Sequence, residues 1–140
     1  MDTTQVLKQL STIRSQIEKL MVEFGEAETE INSVKNTIIQ YFDITEEDFL
    51  SKRRVTDANV WPRYFYFLFG RSLLNTSLSR LGYTSGNKDH ATVTYGLVTL
   101  CNLIKAGDRA INYHYENLLD IFAKKGYLKS ITRSFVKNRV

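Results

Sequence analysis

An acidic residue and a histidine stand side by side in the stretch SLSRLGYTSGNKDHATV, residues 77–93. Two glycines, Gly82 and Gly86, precede Asp89 and His90, and glycine most easily takes the positive φ of a tight turn. The pattern indicates two helices joined by a tight turn, with Asp89 and His90 on the first turn of the second. There a recognition helix presents side chains to base edges in the major groove of DNA.

A compact basic segment, Ser51-Lys52-Arg53-Arg54, lies upstream of this pair. Lysines and arginines at this density suit contact with DNA phosphates or with the minor groove. Lys88, which we place on the same turn as Asp89, adds a further positive charge. The two elements together predict a module that binds double-stranded DNA and reads its sequence.

The chemistry of the pair leaves alternatives open. DNA phosphates repel the carboxylate of Asp89, but a carboxylate in the major groove can accept a hydrogen bond from cytosine N4. Asp89 can equally cap the helix that it precedes. His90 can donate to a base acceptor or pack on a thymine methyl group, and a lone histidine can also be purely structural.

Several matches run in the same order as in a known pattern. The segments concerned are Ser51–Arg54 (SKRR), Pro62-Arg63, Ser77-Leu78, Leu81-Gly82 and Gly86–Val93 (GNKDHATV). They resemble the C-terminal DNA-binding domain of the DnaA family of bacterial replication initiators, a Trp-repressor-like helix-turn-helix fold. The family pattern reads SKRR, a helix led by Pro-Arg, then S-L-x-x-I-G and G-G-R-D-H-T-T-V. The resemblance covers roughly residues 31–122.

The resemblance implies a role for each matching residue. The implied base contacts are made by Asp89, His90 and Ala91 in the major groove and by Arg54 in the minor groove. Phosphate contacts follow partly from charge, for Lys52, Arg53 and Lys88, and partly from the resemblance, for Arg71, Leu78 and Thr92.

Three departures from the family pattern bear on affinity and specificity. Ala91 replaces a threonine, so a hydrogen bond is lost while a methyl contact to thymine is kept. Asn87-Lys88 replaces Gly-Arg, which keeps the charge but loses the planar guanidinium. Val55, Thr56 and Asp57 replace further arginines after SKRR. We expect weaker phosphate binding or a shifted target sequence.

The first forty residues carry a heptad repeat. Apolar residues recur at alternating steps of four and three: Val6, Leu10, Ile13, Ile17, Leu20, Phe24, Ala27, Ile31, Val34, Ile38. This period predicts a coiled coil, and hence a homo-oligomer formed through residues 5–38. Glu30 and Lys35 would attract in a parallel pair whereas Glu23 and Glu28 would repel, so the orientation stays open. The alternative is one amphipathic helix that folds back on its own domain.

The remainder is expected to be helical, so the predicted class is all-α, a long N-terminal helix followed by a DnaA-type helix-turn-helix bundle. Asp43 or Thr45, Ser77 and Asp108 are the predicted helix caps. The predicted domains are a coil over 1–30, the helix-turn-helix domain over 31–122 and a basic tail over 123–140. Residues 127–140 show no strong pattern, and we expect a loose segment there.

The composition and the missing motifs limit which classes of function are possible. The net charge is +4, and residues 121–140 hold six Lys or Arg and no Asp or Glu, which suits a nucleic-acid partner. There is no P-loop for a nucleotide and no room for the ATPase part of an initiator. The single cysteine, Cys101, is predicted to be a buried structural thiol. One cysteine and two histidines do not have the spacing of a zinc site, so no metal or other cofactor is expected. Neither a signal peptide nor a membrane span is visible, which predicts a cytoplasmic, nucleoid-associated protein.

No catalytic constellation is visible in the sequence, so we do not expect an enzyme. The favoured function is sequence-specific DNA binding in replication initiation control or transcription regulation, including that of a phage or mobile element. The alternative is a helical structural or adaptor protein that oligomerises through its coil and has lost DNA binding. Exposure of Asp89 and His90 would favour the first function, and their burial the second.

Overall fold

A computed structural model describes residues 2–51 and 57–139. All regular structure in those ranges is helical, which confirms the all-α class. The helices of the described chain are α1 (Thr3–Phe42), α2 (Glu46–Leu50), α3 (Asp57–Leu74), α4 (Leu78–Thr84), α5 (His90–Lys105), α6 (Arg109–Lys124) and α7 (Lys129–Asn138). None of these helices, as far as they are described, is long and apolar enough to cross a membrane. Three predicted DNA contacts, Lys52, Arg53 and Arg54, lie outside the described residues.

The chain divides into two compact units, Met1–Asn32 and Ser33–Val140. Unit 1 is the first part of α1, and Ile31 near its end is buried. Five earlier heptad side chains are 40–64% exposed: Val6, Leu10, Ile13, Ile17 and Leu20. The last turns of α1 belong to unit 2, where Val34 and Ile38 are buried in the core. The prediction of a coil reaching residue 38 is therefore wrong at its C-terminal end, because these side chains are already covered within one chain.

The helix α3 forms the centre of unit 2. Its residues Tyr64–Phe69 are all buried, and those from Phe65 onward are completely inaccessible. The helices α4, α5 and α7 all pack against α3, so its buried rings are covered on every face. Gly96 on α5 lies against the Tyr64 ring, and a Cβ atom there would lie 2.6 Å from that ring. The missing side chain brings α5 close to α3.

Helix ends follow the local sequence. Thr45 caps α2 by accepting a hydrogen bond from the Asp48 N–H at 3.0 Å, and Asp108 caps α6 by accepting from the Ile111 N–H at 2.9 Å. Such caps satisfy N–H groups that have no partner within the helix. Cys101 is buried in α5 and burial raises the pKa of its thiol, which confirms the predicted structural cysteine.

The C-terminal segment differs from expectation. Residues 129–138 form α7, which packs against α3, α5 and α6 rather than remaining loose. Two of its contacts are polar: the hydroxyl groups of Ser72 and Thr132 share a hydrogen bond of 2.9 Å, and Arg133 pairs with Glu116 at 3.1 Å. Ile131, Phe135 and Val136 also recur at helical spacing, so the sequence does carry an apolar pattern here and the expectation of a loose segment is wrong. The predicted domain bounds at residues 30 and 122 stay a prediction.

Candidate nucleic-acid interface

The helix-turn-helix consists of α4, the turn at residues 85–89 and α5. Ser77 caps α4 by accepting a hydrogen bond from the Arg80 N–H at 3.1 Å. Asp89 caps α5, because its Oδ1 accepts from the Thr92 N–H at 2.9 Å. The second helix begins at His90. Lys88 and Asp89 therefore precede the first turn of α5 instead of lying on it.

The turn depends on close approach of the backbone at two residues. The Lys88 N–H donates to the Gly82 carbonyl at 2.8 Å, and a Cβ atom on Gly82 would lie 2.1 Å from the Lys88 carbonyl oxygen. Asn87 has a φ of 58°, a conformation that asparagine tolerates better than most residues. The replacement of the family glycine by Asn87 is thus compatible with the turn.

The N-terminal end of α5 presents a polar, exposed surface. Asp89, His90, Ala91 and Thr92 are all exposed, whereas Val93 on the next position is buried. The hydrogen bonds from the Thr92 backbone and side chain hold the pKa of the Asp89 carboxyl below its ordinary value. The carboxylate is therefore charged at neutral pH.

The capping role of Asp89 does not exclude base reading. The cap engages Oδ1, and an ionised carboxylate has about four acceptor positions on its two oxygens. Its exposure leaves the carboxylate accessible to a groove that approaches the end of α5. The two alternatives raised by the sequence are chemically compatible.

A cluster of hydrogen bonds holds Ser51, the first residue of the basic segment. The Ser51 carbonyl accepts from Arg63 Nη2 and from Lys88 Nζ, the latter at 3.3 Å. Lys88 Nζ also donates to the Ser85 carbonyl at 2.7 Å. The start of the basic segment is thereby attached to the turn before α5.

Arg63 extends this attachment to α2. Arg63 is 5% exposed, with Nε donating to the Phe49 carbonyl at 2.7 Å and Nη2 to the Asp48 carbonyl at 3.0 Å. It caps the C-terminal end of α2, where carbonyl groups lack helical partners. Burial lowers the pKa of Arg63, but a guanidinium stays protonated at any physiological pH.

Close packing of the turn supports the same arrangement. Gly86 has a φ of 102°, and a Cβ atom on it would lie 2.2 Å from the Leu50 carbonyl oxygen. The turn therefore lies directly against the end of α2. Two backbone segments far apart in sequence, residues 50–51 and 85–88, meet beside the exposed end of α5.

Comparison with known proteins agrees with this geometry. The family described as "Bacterial dnaA protein helix-turn-helix" matches residues 31–99. The chromosomal replication initiator protein DnaA of Oenococcus oeni is 32% identical over 85 residues, which are 61% of this chain and 18% of that protein. The chromosomal replication initiator protein DnaA of Chromobacterium violaceum is 29% identical over 97 residues, which are 69% of this chain and 20% of that protein.

Residues 31–99 belong to the bacterial DnaA helix-turn-helix family. This confirms the resemblance seen in the sequence, and helix-turn-helix domains of the DnaA type bind double-stranded DNA. The chain spans about a fifth of the length of the relatives that it matches.

In the DnaA-type domain, the predicted phosphate contact Arg71 lies in the last turn of α3, and the predicted contact Leu78 begins α4. Arg71 is half-buried, and its Nη1 donates to the Thr76 carbonyl at 3.0 Å. This bond uses one of the five N–H donors of a guanidinium. Leu78 is the first residue of α4 and is half-buried. The structure thus brings Arg71 close to the N-terminal end of α4, whose backbone N–H groups suit an anion.

The geometry adds a residue to the DnaA-type site that the sequence did not reveal. Tyr95 is 58% exposed and lies one helical turn after Ala91. Its ring meets Tyr64 edge to face, with 6.5 Å between centroids. It borders a groove of about 520 Å³ between α3 and α5 that Lys88, Asp89, Ala91 and Thr92 also line. The spacing of four residues from Ala91 was the available signal for this shared face.

Proposed function

We propose that this chain binds double-stranded DNA sequence-specifically, with the N-terminal end of α5 entering the major groove. Asp89, His90 and Ala91 are the proposed base-reading residues. The observation that carries the proposal is that these side chains are exposed while the turn behind them holds Ser51, the first residue of the basic segment. The proposed interface combines these side chains with the positive charge that the sequence gives to residues 52–54.

The proposed phosphate contacts are Arg71, the backbone at Leu78, and Thr92, together with Lys52 and Arg53. Arg54 is proposed to enter the minor groove. Phosphate contacts fix the orientation of a protein on the duplex, whereas base contacts determine which sequence is bound.

Lys88 receives a different assignment from the one that its charge indicated. Its ammonium group donates to two backbone carbonyls, those of Ser51 and Ser85. We assign Lys88 to positioning the basic segment, and its predicted phosphate contact is not carried into the proposal. Tyr95 joins the proposed interface as an apolar contact to the groove wall.

Self-association is the second part of the proposal. The exposed heptad side chains of unit 1 support pairing of subunits, so that an oligomer carries more than one DNA-binding unit. Such a protein suits control of replication initiation or of transcription, in a bacterium, a phage or a mobile element. Its proposed place is the cytoplasm, in association with the nucleoid DNA to which it binds.

A structural or adaptor role remains the competing function, and the exposed heptad face of unit 1 is the observation that favours it. In that case the coil recruits a partner and DNA binding has been lost. The two functions make opposite demands on Asp89 and His90. Their exposure supports the DNA-binding function over the adaptor.

Selection of bound sequences from a random duplex pool tests the proposal most directly. We expect a defined motif and a preference for cytosine at one position that Asp89→Ala removes, by roughly 5- to 150-fold in relative affinity. Arg109→Ala, which changes an exposed arginine on α6, is the matched control and should leave the motif unchanged. Recovery of random sequences by the wild-type protein would refute sequence-specific binding and favour the adaptor.

A further inference from the structure

The apolar face of unit 1 is wider than a two-residue seam. Besides the heptad positions, Leu7 is 61% exposed and Met21 is 68% exposed. Both follow a heptad residue directly, and Arg14 occupies the equivalent place midway between them. With Leu10 and Ile17 as a positions, these three residues are the e positions of successive heptads.

We infer that unit 1 pairs with a second copy of this chain in the antiparallel orientation, with the two-fold axis near residue 15. This inference rests on the self-association that we propose, and it does not depend on DNA binding. In coiled coils the residues at e and g decide which partner and which orientation are favoured.

In the parallel orientation, apolar side chains beside the core would face polar side chains of the partner. There, each g residue faces the e residue of the partner five positions further along. Leu7 would then face the partner's Asp2, and Met21 would face the partner's Gln16. Glu23 would face the partner's Glu28, so two acidic residues would meet. Two apolar side chains would stay against polar ones. The repulsion at Glu23 would stand beside an attraction between Glu30 and the partner's Lys35, although Lys35 already pairs with Glu46 of its own chain at 3.4 Å.

In the antiparallel orientation, apolar side chains beside the core face apolar side chains of the partner. Facing e residues meet each other, so that Leu7 packs against the partner's Met21. In the core, Leu10 faces the partner's Leu20 and Ile13 faces the partner's Ile17. The g residues pair Glu23 with the partner's Gln9, so Glu23 no longer meets an acidic residue. A single two-fold axis generates all of these contacts twice, as in most homodimers.

Two kinds of like-charge contact remain: Asp2 faces the partner's Glu30 near each end of the paired segment, and two arginines meet at the centre. The two Arg14 side chains face each other across the axis. Each Arg14 Nε lies 3.4 Å from Glu18 of its own helix, and this neighbouring carboxylate offsets part of the repulsion. Both side chains are exposed, so water and salt screen the contact further.

The orientation has a measurable consequence. Asn32, the last residue of unit 1, lies 17 residues from the axis. At 1.5 Å per residue it is about 26 Å from the axis, so the two Asn32 residues of an antiparallel dimer are about 51 Å apart. In a parallel dimer they face each other at about 10 Å. The DNA-binding units therefore begin at opposite ends of the coil and can engage separate sites.

Spin labels provide the test, in the full chain with Cys101→Ala so that one cysteine carries the label. Asn32→Cys is labelled, and double electron–electron resonance should show a distance near 50 Å with a solution mass twice the 16.2 kDa of one chain. Ile17→Asp, which charges the apolar face, should abolish the distance and give a monomer. Ser15→Asp lies on the opposite side of the heptad and should change neither.

Each other outcome overturns a distinct statement. A dimeric mass with strong dipolar broadening of the continuous-wave spectrum, as labels about 10 Å apart produce, would show a parallel coil and refute the orientation while keeping self-association. A monomeric mass with no measurable distance would refute both. DNA affinity, measured separately on unlabelled protein, reports on the DNA-binding proposal without regard to either result.

Discussion

The buried guanidinium of Arg63 should be one of the largest single contributors to the stability of unit 2. It donates to the Phe49 carbonyl at 2.7 Å, to the Asp48 carbonyl at 3.0 Å and to the Ser51 carbonyl. Arg63→Met keeps much of the side-chain volume but removes all three donors. The three carbonyl groups belong to the backbone, so they remain in the variant and lose their donor.

The magnitude follows from the burial of these acceptors. A buried acceptor that loses its partner costs about 1–3 kcal/mol, which applies to the Phe49 carbonyl. The other two carbonyls are partly buried, so about half of that cost is expected for each. Relief from burying a charge offsets part of the loss. We expect Arg63→Met to lower the free energy of unfolding by about 2–5 kcal/mol, or the Tm by about 8–20 °C for a unit of this size.

Thermal and urea denaturation, followed by circular dichroism, measure this change. Arg109→Met removes an exposed arginine from α6 and should shift the free energy of unfolding by less than about 0.5 kcal/mol. Arg63→Lys keeps the charge but not the planar fork, and should recover less than half of the loss. An Arg63→Met protein that melts within 2 °C of the wild type would refute the reasoning, because it would show that these bonds contribute nothing net.

Three further predictions concern the turn, the pH response and the phosphate contacts. Gly82→Ala places a Cβ atom 2.1 Å from the Lys88 carbonyl oxygen and should destabilise unit 2 by about 3 kcal/mol. Gly25→Ala, where nothing lies within 4 Å, should instead stabilise α1 by about 0.5–1 kcal/mol; equal melting of the two variants would contradict the close contact. Burial lowers the pKa of His114 from its ordinary value of 6.5, so the unfolded chain binds this proton more readily. Stability should be complete above pH 6.5 and fall as the pH drops towards the lowered pKa, and a denaturation series should lose this dependence in His114→Gln. Arg71→Ala should weaken specific and non-specific duplexes alike and reduce the slope of log affinity against log salt by about 0.9; unchanged slopes would exclude a phosphate contact.

Local features of the structure could be predicted from sequence because they depend on neighbouring residues. Ser77, Asp89 and Asp108 cap helices that start within three residues of them. Gly82 and Gly86 mark the turn because backbone atoms approach them too closely for a side chain. The same locality explains why the exposed end of α5 could be recognised as a candidate DNA-reading surface.

The packing of the C-terminal helix α7 against its neighbours could not be predicted in this way. Its covered face includes Thr132, whose hydroxyl shares a hydrogen bond with Ser72 on α3. Lys129 and Arg133 pair with acidic residues of α6. Each of these contacts joins residues that are distant along the chain or lie on another helix, so no period in residues 127–140 records them.

The charged residues near the interface show most clearly which features follow from the sequence and which depend on the tertiary structure. By itself, the sequence determined the caps, the glycine turn, the polar end of α5 and the membership of residues 31–99 in a DNA-binding family. Only the tertiary structure decided that Arg63 and Lys88 bond to backbone carbonyls and hold Ser51 in place. The N–H groups of a cation can donate to a carbonyl oxygen as well as to a phosphate oxygen. Which acceptor lies within about 3 Å of its nitrogen depends on how α2, α3 and the turn before α5 pack together.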